Sequence, residues 1–515
     1  MFARTSTMNR SAMLLMATWL VVGAVLSLWL PSNPLSAFGT GMTWLFFAGI
    51  AFTQWFNRAI FALFFAELIL GGRGRIIEIH ETLPIRLAIG MFLVLVFLAA
   101  WFADGKATSF ELKKSRTCMI ASVLGASTFF FFGLFLGNVY GNNPDFIVGD
   151  SRGFLFLAGA LPLLFFASRR KRDFDLVVGC FLSVVTIFAI AKSFGYTLVL
   201  TGLMSIGQLG LMVEQYIPQE IGWVSHSRFI LAPRFYMASD LDLMFVLPLL
   251  VSLALATKVA RMRFILYGAL CVTLFALISS QTRGLWVGAL LGLAVVFWLS
   301  NVGSKFKIAL VLPFILVVVL AASEDFLPAV RQTISTSFDI NESSNRGRLG
   351  QFAPLMDMAR KHIVLGNGFG AYAHDYPGPD PKQPYGYELQ AMNFLMKMGI
   401  VGCVFWTIFL AWILHSVWRI YKRAADPSHR VLAKGLLGAL VGMLFASATN
   451  PYFSTSVGMG CLLFTVIVVD LIGQRPVADT SALSVSPKES GILHAKHART
   501  THIPPFSPAP RRVRF

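Results

Sequence analysis

Arginine side chains near the ends of apolar runs are the first residues in this sequence that could do chemistry. Arg283 is the sole charged residue in the stretch LFALISSQTRGLWVGALLGLAVVFWL, Leu274–Leu299. A guanidinium stays protonated at physiological pH and can bind a phosphate through two parallel hydrogen bonds. A simpler interpretation is an arginine that anchors the end of a membrane span at the water boundary. Arg283 alone is consistent with both.

Other arginines lie in short segments that the predicted topology places on the same membrane face as Arg283. They are Arg152, Arg234, Arg346 and Arg348, together with Arg228 and, further off in sequence, Arg73 and Arg75. Cytoplasmic loops are the ones expected to be rich in Lys and Arg, so arginines in several outer segments need another explanation. If their side chains converge, they predict a site for a phosphate or pyrophosphate at the bilayer surface.

Glu388 is the candidate base. It opens the apolar run that begins YELQAMNFLMKMGIVG, at the outer mouth of a predicted span. A carboxylate there could simply be favoured by the helix dipole. It could instead orient or deprotonate a hydroxyl nucleophile. His362, His374, Asp375 and Tyr387 are weaker candidates for that role.

The elements that must position these residues are membrane spans. The chain has 515 residues, is 56% hydrophobic and 13% charged, and has a mean hydropathy of +0.68. Its apolar blocks are about 18–25 residues long, the length needed to cross a bilayer. The sequence therefore predicts an all-α polytopic membrane protein with about 12–14 spans. The predicted spans are 11–30, 41–56, 59–71, 84–103, 117–137, 153–168, 174–192, 241–257, 264–280, 284–301, 306–322, 388–416, 432–447 and 452–474.

Basic clusters set the orientation of these spans. The formal net charge is +18, from 43 Lys and Arg against 25 Asp and Glu. Clusters such as SRRKRDFD and KVARMR fit cytoplasmic loops under the positive-inside rule, which places both termini in the cytoplasm. No basic and aromatic nucleic-acid motif is present, so nucleic acid is not an expected partner. Membrane lipids are expected partners.

The spans divide the chain into four parts. Residues 1–322 are predicted to form N-terminal transmembrane helices, 323–387 an extracytoplasmic loop subdomain, 388–474 C-terminal transmembrane helices, and 475–515 a disordered basic tail. The run GRLGQFAPLMDMARKHIVLG has helical spacing and predicts a helix in the loop, with Gly366 as its stop. The following GNGFGAY lacks the preceding strand and the lysine of a phosphate-binding loop, and it predicts a tight surface turn.

The order of these segments resembles the bacterial O-antigen ligase/polymerase superfamily. The matching pieces are SQTRGLWVG at a span turn, a long outer loop with RGRLGQF and HIVLGNGFGAY, then YELQAMNFLMKMGIVG and TNPYF. The resemblance implies a GT-C-like helical fold in the bacterial inner membrane and transfer of a glycan from an undecaprenyl-diphosphate carrier on the periplasmic face. It implies neither a metal nor a nucleotide-sugar cofactor. In the resemblance, Arg283 matches the arginine near the diphosphate, and Arg346 or Arg348 matches the arginine that opens the loop helix.

Glu388 departs from the family pattern of a ligase. Ligases that join O-antigen to lipid A-core typically have a histidine, often followed by asparagine, where this chain has PYGYELQ. This difference favours a polymerase of O-antigen or exopolysaccharide repeat units, with a glycan or lipid acceptor and polysaccharide-assembly proteins as candidate partners. The alternatives are a ligase and, in another class, a lipid-linked oligosaccharide flippase. Transporters usually have carboxylates deep in their spans, and here only Glu67 is expected inside one.

Overall fold

A computed structural model of the chain describes residues 78–80, 83–84, 115–168, 173–216, 222–225, 233–300, 343–376 and 383–474. The predicted features outside these residues are the four spans before residue 104, the span 306–322, the tail 475–515, and Glu67, Arg73, Arg75 and Arg228.

Two short antiparallel strand pairs stand among the helices. β1 (Glu78–His80) pairs with β2 (Leu83–Pro84), and β3 (Gly222–Ser225) pairs with β4 (Arg234–Met237). In the second pair, Gly222 lies opposite Met237 and Ser225 lies opposite Arg234.

The described helices follow one another in this order: α1 Arg116–Val139, α2 Pro144–Ser151, α3 Leu155–Ala158, α4 Ala160–Ser168, α5 Asp173–Leu200, α6 Ile206–Tyr216, α7 Asp240–Ala256, α8 Ala260–Ser279, α9 Arg283–Trp298, α10 Ser343–Lys361, α11 Gln390–Arg423, α12 Pro427–Thr449 and α13 Ser456–Gln474. The middle of α1, Thr128–Phe135, is π-helical. Single 3₁₀ turns occupy Arg152–Phe154 and Tyr452–Ser454.

Seven helical stretches in the described part of the chain are long and apolar enough to cross a membrane. They are Arg116–Val139, Pro144–Leu164, Val177–Leu200, Ala260–Ser279, Gln390–Arg423, Pro427–Ala448 and Ser456–Gly473. The predicted all-helical polytopic membrane fold is thereby confirmed.

Helix α7 lies at the centre of the described helices. Beyond its acidic first turn it is almost entirely apolar, and nearly all of it is buried, as expected of a helix surrounded by others. It packs against α8, α9, α12 and α13. Helices α9 and α12 come into backbone contact because Gly288 and Gly292 face Gly442 and Gly438, and a Cβ on any of the four would meet the other helix. Such small residues four apart are typical of tightly packed membrane helices.

The segment between the predicted spans 117–137 and 153–168 contains a helix. Residues Pro144–Ser151 form α2, which leads through the turn Arg152–Phe154 into the next span. Asn143 caps this helix, since its side-chain oxygen accepts a hydrogen bond of 2.9 Å from the Asp145 N–H, and Pro144 occupies the first turn. Asn-Pro-Asp is a helix-start signal that outweighs the turn tendency of the same residues.

Helix α11 is interrupted at Gly399, and the outer loop is joined to it there. Gly399 has a left-handed φ of 62°. On one side of the break, Asn367 N and Gly368 N donate to the carbonyls of Met396 (2.8 Å) and Lys397 (3.0 Å). On the other side, Ile400 N donates to Ile363 O at 2.9 Å and Val401 N donates to Val364 O at 3.1 Å. Backbone groups left open by the break are thus satisfied by the loop.

Candidate active site

Strand β4 carries Arg234 to the turn between α8 and α9. The Arg234 Nε donates to the carbonyl of Ser280 at 3.1 Å, and Nη2 donates to the Thr282 hydroxyl at 3.4 Å. Thr282 immediately precedes Arg283 in the chain. The hairpin therefore brings two of the predicted arginines, Arg234 and Arg283, to the same end of α9.

The turn that bears Arg283 is held in a strained conformation. Gln281 has a φ of 48°, a left-handed backbone that costs a non-glycine residue roughly 1–2 kcal/mol. Its side-chain Nε2 donates to the carbonyl of Pro233 at 3.2 Å, and Trp286 Nε1 donates to the carbonyl of Leu277 at 3.2 Å. Since strain of this kind persists only where the surroundings impose it, the turn is rigidly placed relative to β4.

The positive charges around Arg234 and Arg283 favour binding of an anion. Burial lowers the pKa of the Arg234 guanidinium and the positive charge of Arg283 lowers it further, while Tyr236, Asp240 and Tyr452 partly offset the change. Helix α9 begins at Arg283, so the positive end of its dipole adds to the two cations. Both arginines are partly exposed, so a ligand from the surface can reach them.

Two tyrosines border the arginines. Loss of solvation raises the pKa of Tyr236 to about 12; Asp240 and Glu388 raise it too, and Tyr452 and Arg234 partly offset them. Burial likewise raises the pKa of Tyr452 above its ordinary value. Both hydroxyls therefore stay protonated at neutral pH and remain hydrogen-bond donors. Glu388 lies close enough for its negative charge to contribute to the raised pKa of Tyr236.

A fully buried ion pair, which we call sealed, fixes the C-terminal end of β4. Lys192 of α5 bonds the carboxylate of Asp240, and both side chains have 0% exposure. The other oxygen of Asp240 accepts a hydrogen bond of 2.9 Å from Met237 N, the last residue of β4. The pair thus connects α5, the end of β4 and the start of α7.

Two residues of α10 contact Glu388, one at its side chain and one at its backbone. Its Oε2 lies 2.8 Å from Arg348 Nε, with side-chain exposures of 40% and 27%. The Arg348 Nε–H lacks a well-directed hydrogen bond, so this contact is an ion pair without the added geometry of a forked one. One turn along α10, the buried Gln351 Oε1 accepts from the backbone N–H groups of Glu388 (3.1 Å) and Leu389 (3.3 Å). Gln351 thereby caps the start of α11 in place of a local side chain.

The remaining predicted arginines are placed differently. Arg346 is exposed, and residues two apart on a helix do not share a face, so Arg346 and Arg348 point in different directions. Arg152 is partly exposed in the 3₁₀ turn after α2, and its neighbour Gly153 lies against the carbonyl of Ser454. The backbone of Arg152 therefore adjoins the Tyr452–Ser454 turn.

The weaker base candidates are one buried tyrosine and three exposed residues. Tyr387 is buried; its hydroxyl accepts from Ala373 N at 2.8 Å and donates to Tyr376 O at 3.1 Å. His374 and Asp375 are exposed, and His362 stacks on Tyr140 with ring centres 4.3 Å apart. These contacts give Tyr387 and His362 structural roles.

A second sealed ion pair lies behind Glu388. Lys397 Nζ is 2.7 Å from Asp150 Oδ2 and donates to the carbonyl of Tyr385 at 2.8 Å, with 1% of its side chain exposed. Asp150 Oδ2 also accepts from Gly370 N at 3.0 Å. The pair joins α2, α11 and both ends of the segment that leads to Glu388.

The stretch GNGFG is a buried connector, so the predicted surface turn is wrong. Gly366, Gly368 and Gly370 have φ values of 79°, 75° and 81°, and all three are buried. A Cβ on Gly368 would meet the backbone of Gly137, and one on Gly370 would meet the backbone of Ile147. Each glycine allows a close approach to a different helix, which spacing within the loop could not reveal.

Sequence reasoning missed several buried polar residues. Asp470 is 4% exposed inside α13 and accepts from Thr117 N (3.2 Å) and Cys118 N (2.7 Å), so the expectation of Glu67 as the sole carboxylate within a span is wrong. Lys192 and Lys397 also lie in spans, where an ionisable residue is itself a signal that a partner exists. Gln351 carried no such signal, because a glutamine in a helix is usually solvated.

Comparison with known families points to the same part of the chain. Residues 268–407 match the family model Wzy_C, described as O-antigen ligase. This stretch runs from within α8 to within α11 and includes Arg283, Arg348 and Glu388. No curated protein matches the chain. The match supports membership of the O-antigen ligase/polymerase superfamily, whose members are enzymes acting on glycans, and it agrees with the resemblance seen in the sequence motifs.

Proposed function

We propose that this protein is an inner-membrane glycosyltransferase that polymerises or transfers undecaprenyl-diphosphate-linked oligosaccharide units on the periplasmic face. The observation that carries the proposal is the docking of Arg234 on the turn that bears Arg283, through its bonds to Ser280 and Thr282. Two partly exposed guanidiniums at a helix N-terminus suit a diphosphate better than a neutral ligand.

In the proposed reaction, a hydroxyl of the acceptor glycan attacks C1 of the donor sugar. The bond from C1 to the diphosphate oxygen breaks, and its electron pair leaves with the diphosphate. Arg234 and Arg283 stabilise the negative charge that develops there, where fixed charges in a poorly solvated site act most strongly. Arg152 and Arg346 are proposed as further, more distant contacts to the diphosphate.

Glu388 is proposed to accept the proton of the attacking hydroxyl. Its carboxylate is 40% exposed, so an acceptor can reach it. Arg348 contacts Glu388, so we assign it a double role: it orients the base, and it adds positive charge beside the diphosphate. Gln351 is proposed as a positioning residue, because it fixes the backbone of Glu388 through two hydrogen bonds.

A polymerase is favoured over a ligase because Glu388 occupies the place where ligases of lipid A-core typically have a histidine. A flippase is the remaining alternative from another class. The closely packed α7, α9 and α12 have small residues in backbone contact, which suits a rigid scaffold better than a moving one.

A deletion strain separates these functions. Loss of long polysaccharide with accumulation of single lipid-linked repeats is the expected result. Complete polymer left on its carrier would identify a ligase, and intermediates retained on the cytoplasmic leaflet would identify a flippase. Complementation with Arg283→Ala or Glu388→Gln is expected to fail while the variant protein still reaches the membrane.

A further inference from the structure

The turn that follows α10 exposes apolar side chains on the outer side of the protein. We name residues 360–365 the anchor turn; they comprise the last two residues of α10 and the four residues that follow it. Within it, Val364 is 58% exposed and Leu365 is 36% exposed, although both belong to a loop that the sequence predicts to lie in water. What such exposed apolar residues contact depends on the surfaces next to them.

Backbone hydrogen bonds fix the height of the anchor turn relative to the bilayer. The carbonyls of Ile363 and Val364 accept from Ile400 N and Val401 N, just beyond the break in α11. From Ile400 to Arg423, α11 is about 36 Å long, against a hydrocarbon core of about 30 Å. With the basic end of α11 at the cytoplasmic surface, Ile400 lies at the outer edge of the core, and the anchor turn lies beside it.

The lipid-facing stripe of α11 begins at the same level. Its exposed apolar side chains are Ile400 (49%), Val404 (49%), Phe405 (58%) and Ile408 (60%), spaced so that they share one helix face. The anchor turn continues this stripe outward. The exposed surface of Val364 and Leu365 is therefore continuous with a surface that faces acyl chains.

The neighbouring helix α1 ends at the anchor turn as well. Trp406 Nε1 of α11 donates to the Thr128 hydroxyl of α1 at 3.2 Å, so the two helices are adjacent. At the outer end of α1, Val139 is 62% exposed and Tyr140 is 37% exposed, and the Tyr140 ring stacks on His362 of the anchor turn. An exposed tyrosine at this position is typical of the aromatic belt at a membrane boundary.

Two basic residues precede the apolar ones. Arg360 has 71% of its side chain exposed, in an ion pair of 3.3 Å with Asp357, and Lys361 is exposed too. Cations next to apolar side chains match the order of phosphate headgroups and acyl chains at a bilayer surface.

We propose that the anchor turn inserts into the outer leaflet, with Val364 and Leu365 among the acyl chains and Arg360 and Lys361 at the lipid phosphates. The occupant of this surface is bulk membrane phospholipid. This interaction is independent of the glycosyl-transfer proposal. The insertion would hold the C-terminal end of α10 at the level of the lipid headgroups. Because α10 also carries Arg348 and Gln351, the insertion would help to fix the position of these two residues relative to the membrane.

Spin-label accessibility tests the insertion. The full chain in phosphatidylethanolamine/phosphatidylglycerol nanodiscs, with Cys180, Cys271 and Cys403 replaced by serine, receives one nitroxide through Val364→Cys. The matched control is Leu349→Cys on α10, because Leu349 is also an apolar residue with 58% exposure. Oxygen dissolves in the bilayer and a nickel chelate stays in water, so the ratio of their collisions with the label reports its environment.

The expected result is more collisions with oxygen than with nickel chelate at position 364, and the reverse at 349. Reversing the charges with Arg360→Glu and Lys361→Glu should raise the nickel-chelate collisions at 364. Nickel accessibility at 364 as high as at 349 would overturn the proposal, because the turn would then lie in water. Low accessibility to both reagents would overturn it too, since protein would then cover the turn.

Discussion

Two kinds of cation occur in the part of the chain that the structure describes. Lys192 and Lys397 are sealed: each is almost fully buried and paired with a buried carboxylate, Asp240 and Asp150 respectively. Arg234 and Arg283 are partly exposed and lie near each other at the start of α9. Buried ion pairs have no room for a ligand, whereas partly exposed guanidiniums can exchange water for a phosphate. The buried pairs support the segments that carry the candidate site residues, and the two arginines are the cations that solvent reaches.

The two kinds of cation are physically connected. Asp240 binds Lys192 with one oxygen and the N–H of Met237 with the other, and Met237 ends the strand that begins with Arg234. Lys397 holds the carbonyl of Tyr385, three residues before Glu388. Each sealed pair therefore fixes the backbone of one functional segment.

Removing a sealed cation should have the largest effect. Lys397→Met leaves the Asp150 carboxylate buried without its counter-charge, which costs about 3–5 kcal/mol of folding free energy. Thermal unfolding of the purified protein in detergent measures this loss. The double variant Lys397→Met/Asp150→Asn should regain much of the stability because the unpaired charge is gone. A single variant as stable as the wild type would mean that Lys397 and Asp150 do not form the sealed pair.

Removing a partly exposed arginine should lower activity much more than stability. Arg283→Ala is expected to lower the rate of glycan transfer by about 10²–10³-fold, the usual effect of losing one group that stabilises developing negative charge. The measurement is polymer formation by membranes that contain equal amounts of protein. Arg261→Ala is the matched control, an exposed arginine at the opposite end of α8. Equal loss of activity in both variants would argue against a special role for Arg283.

Removing the cap of α11 should have a smaller effect. Gln351→Met keeps the size of the side chain but loses both hydrogen bonds to the start of α11, so we expect about a tenfold lower kcat. The KM for the lipid-linked donor should stay the same, because Gln351 does not contact the arginine pair. Gln208→Met is the control, since Gln208 accepts from Ser205 N at the start of α6. A parallel fall in melting temperature and kcat would indicate a purely structural role for Gln351.

Alkaline pH should give the smallest effect. Burial raises the pKa of Tyr387 from its ordinary 10.0 to about 12. The folded protein therefore keeps a proton that the unfolded chain releases, so this contribution to stability is constant below about pH 10 and falls as the pH rises towards 12. Tyr387→Phe should flatten the fall in melting temperature over this range. An unchanged pH dependence in the variant would show that Tyr387 does not titrate differently on folding.

The sequence predicted the parts of this molecule that depend on local patterns. Apolar length gave the bounds of helices α7, α8, α9, α12 and α13 to within a few residues, and helical spacing gave α10. The hairpin of β3 and β4 was not predicted, because four-residue strands have too little pattern to stand out in an apolar chain. The break in α11 was missed because Gly399 looks like any glycine in a membrane helix.

The candidate site residues come from residue type and position in the sequence, and their contacts come from the structure. Arg234, Arg283 and Arg348 are candidates because outer segments are expected to be poor in arginine. Glu388 is a candidate because it opens a predicted span at its outer end. The ion pair of Arg348 with Glu388 and the cap from Gln351 join residues about forty apart, and such pairings arise from tertiary packing that local patterns do not encode.

Direct ligand binding tests the central claim that Arg234 and Arg283 bind a lipid-borne diphosphate. The wild-type protein in nanodiscs should bind undecaprenyl diphosphate more tightly than undecaprenyl monophosphate, measured by displacement of a radiolabelled diphosphate. Arg234→Ala and Arg283→Ala should each weaken the diphosphate Kd by about tenfold or more, as expected for loss of a charge-assisted contact worth about 1.5–3 kcal/mol. Arg261→Ala should leave it unchanged. Equal affinity of wild type and both variants for the diphosphate would contradict the account.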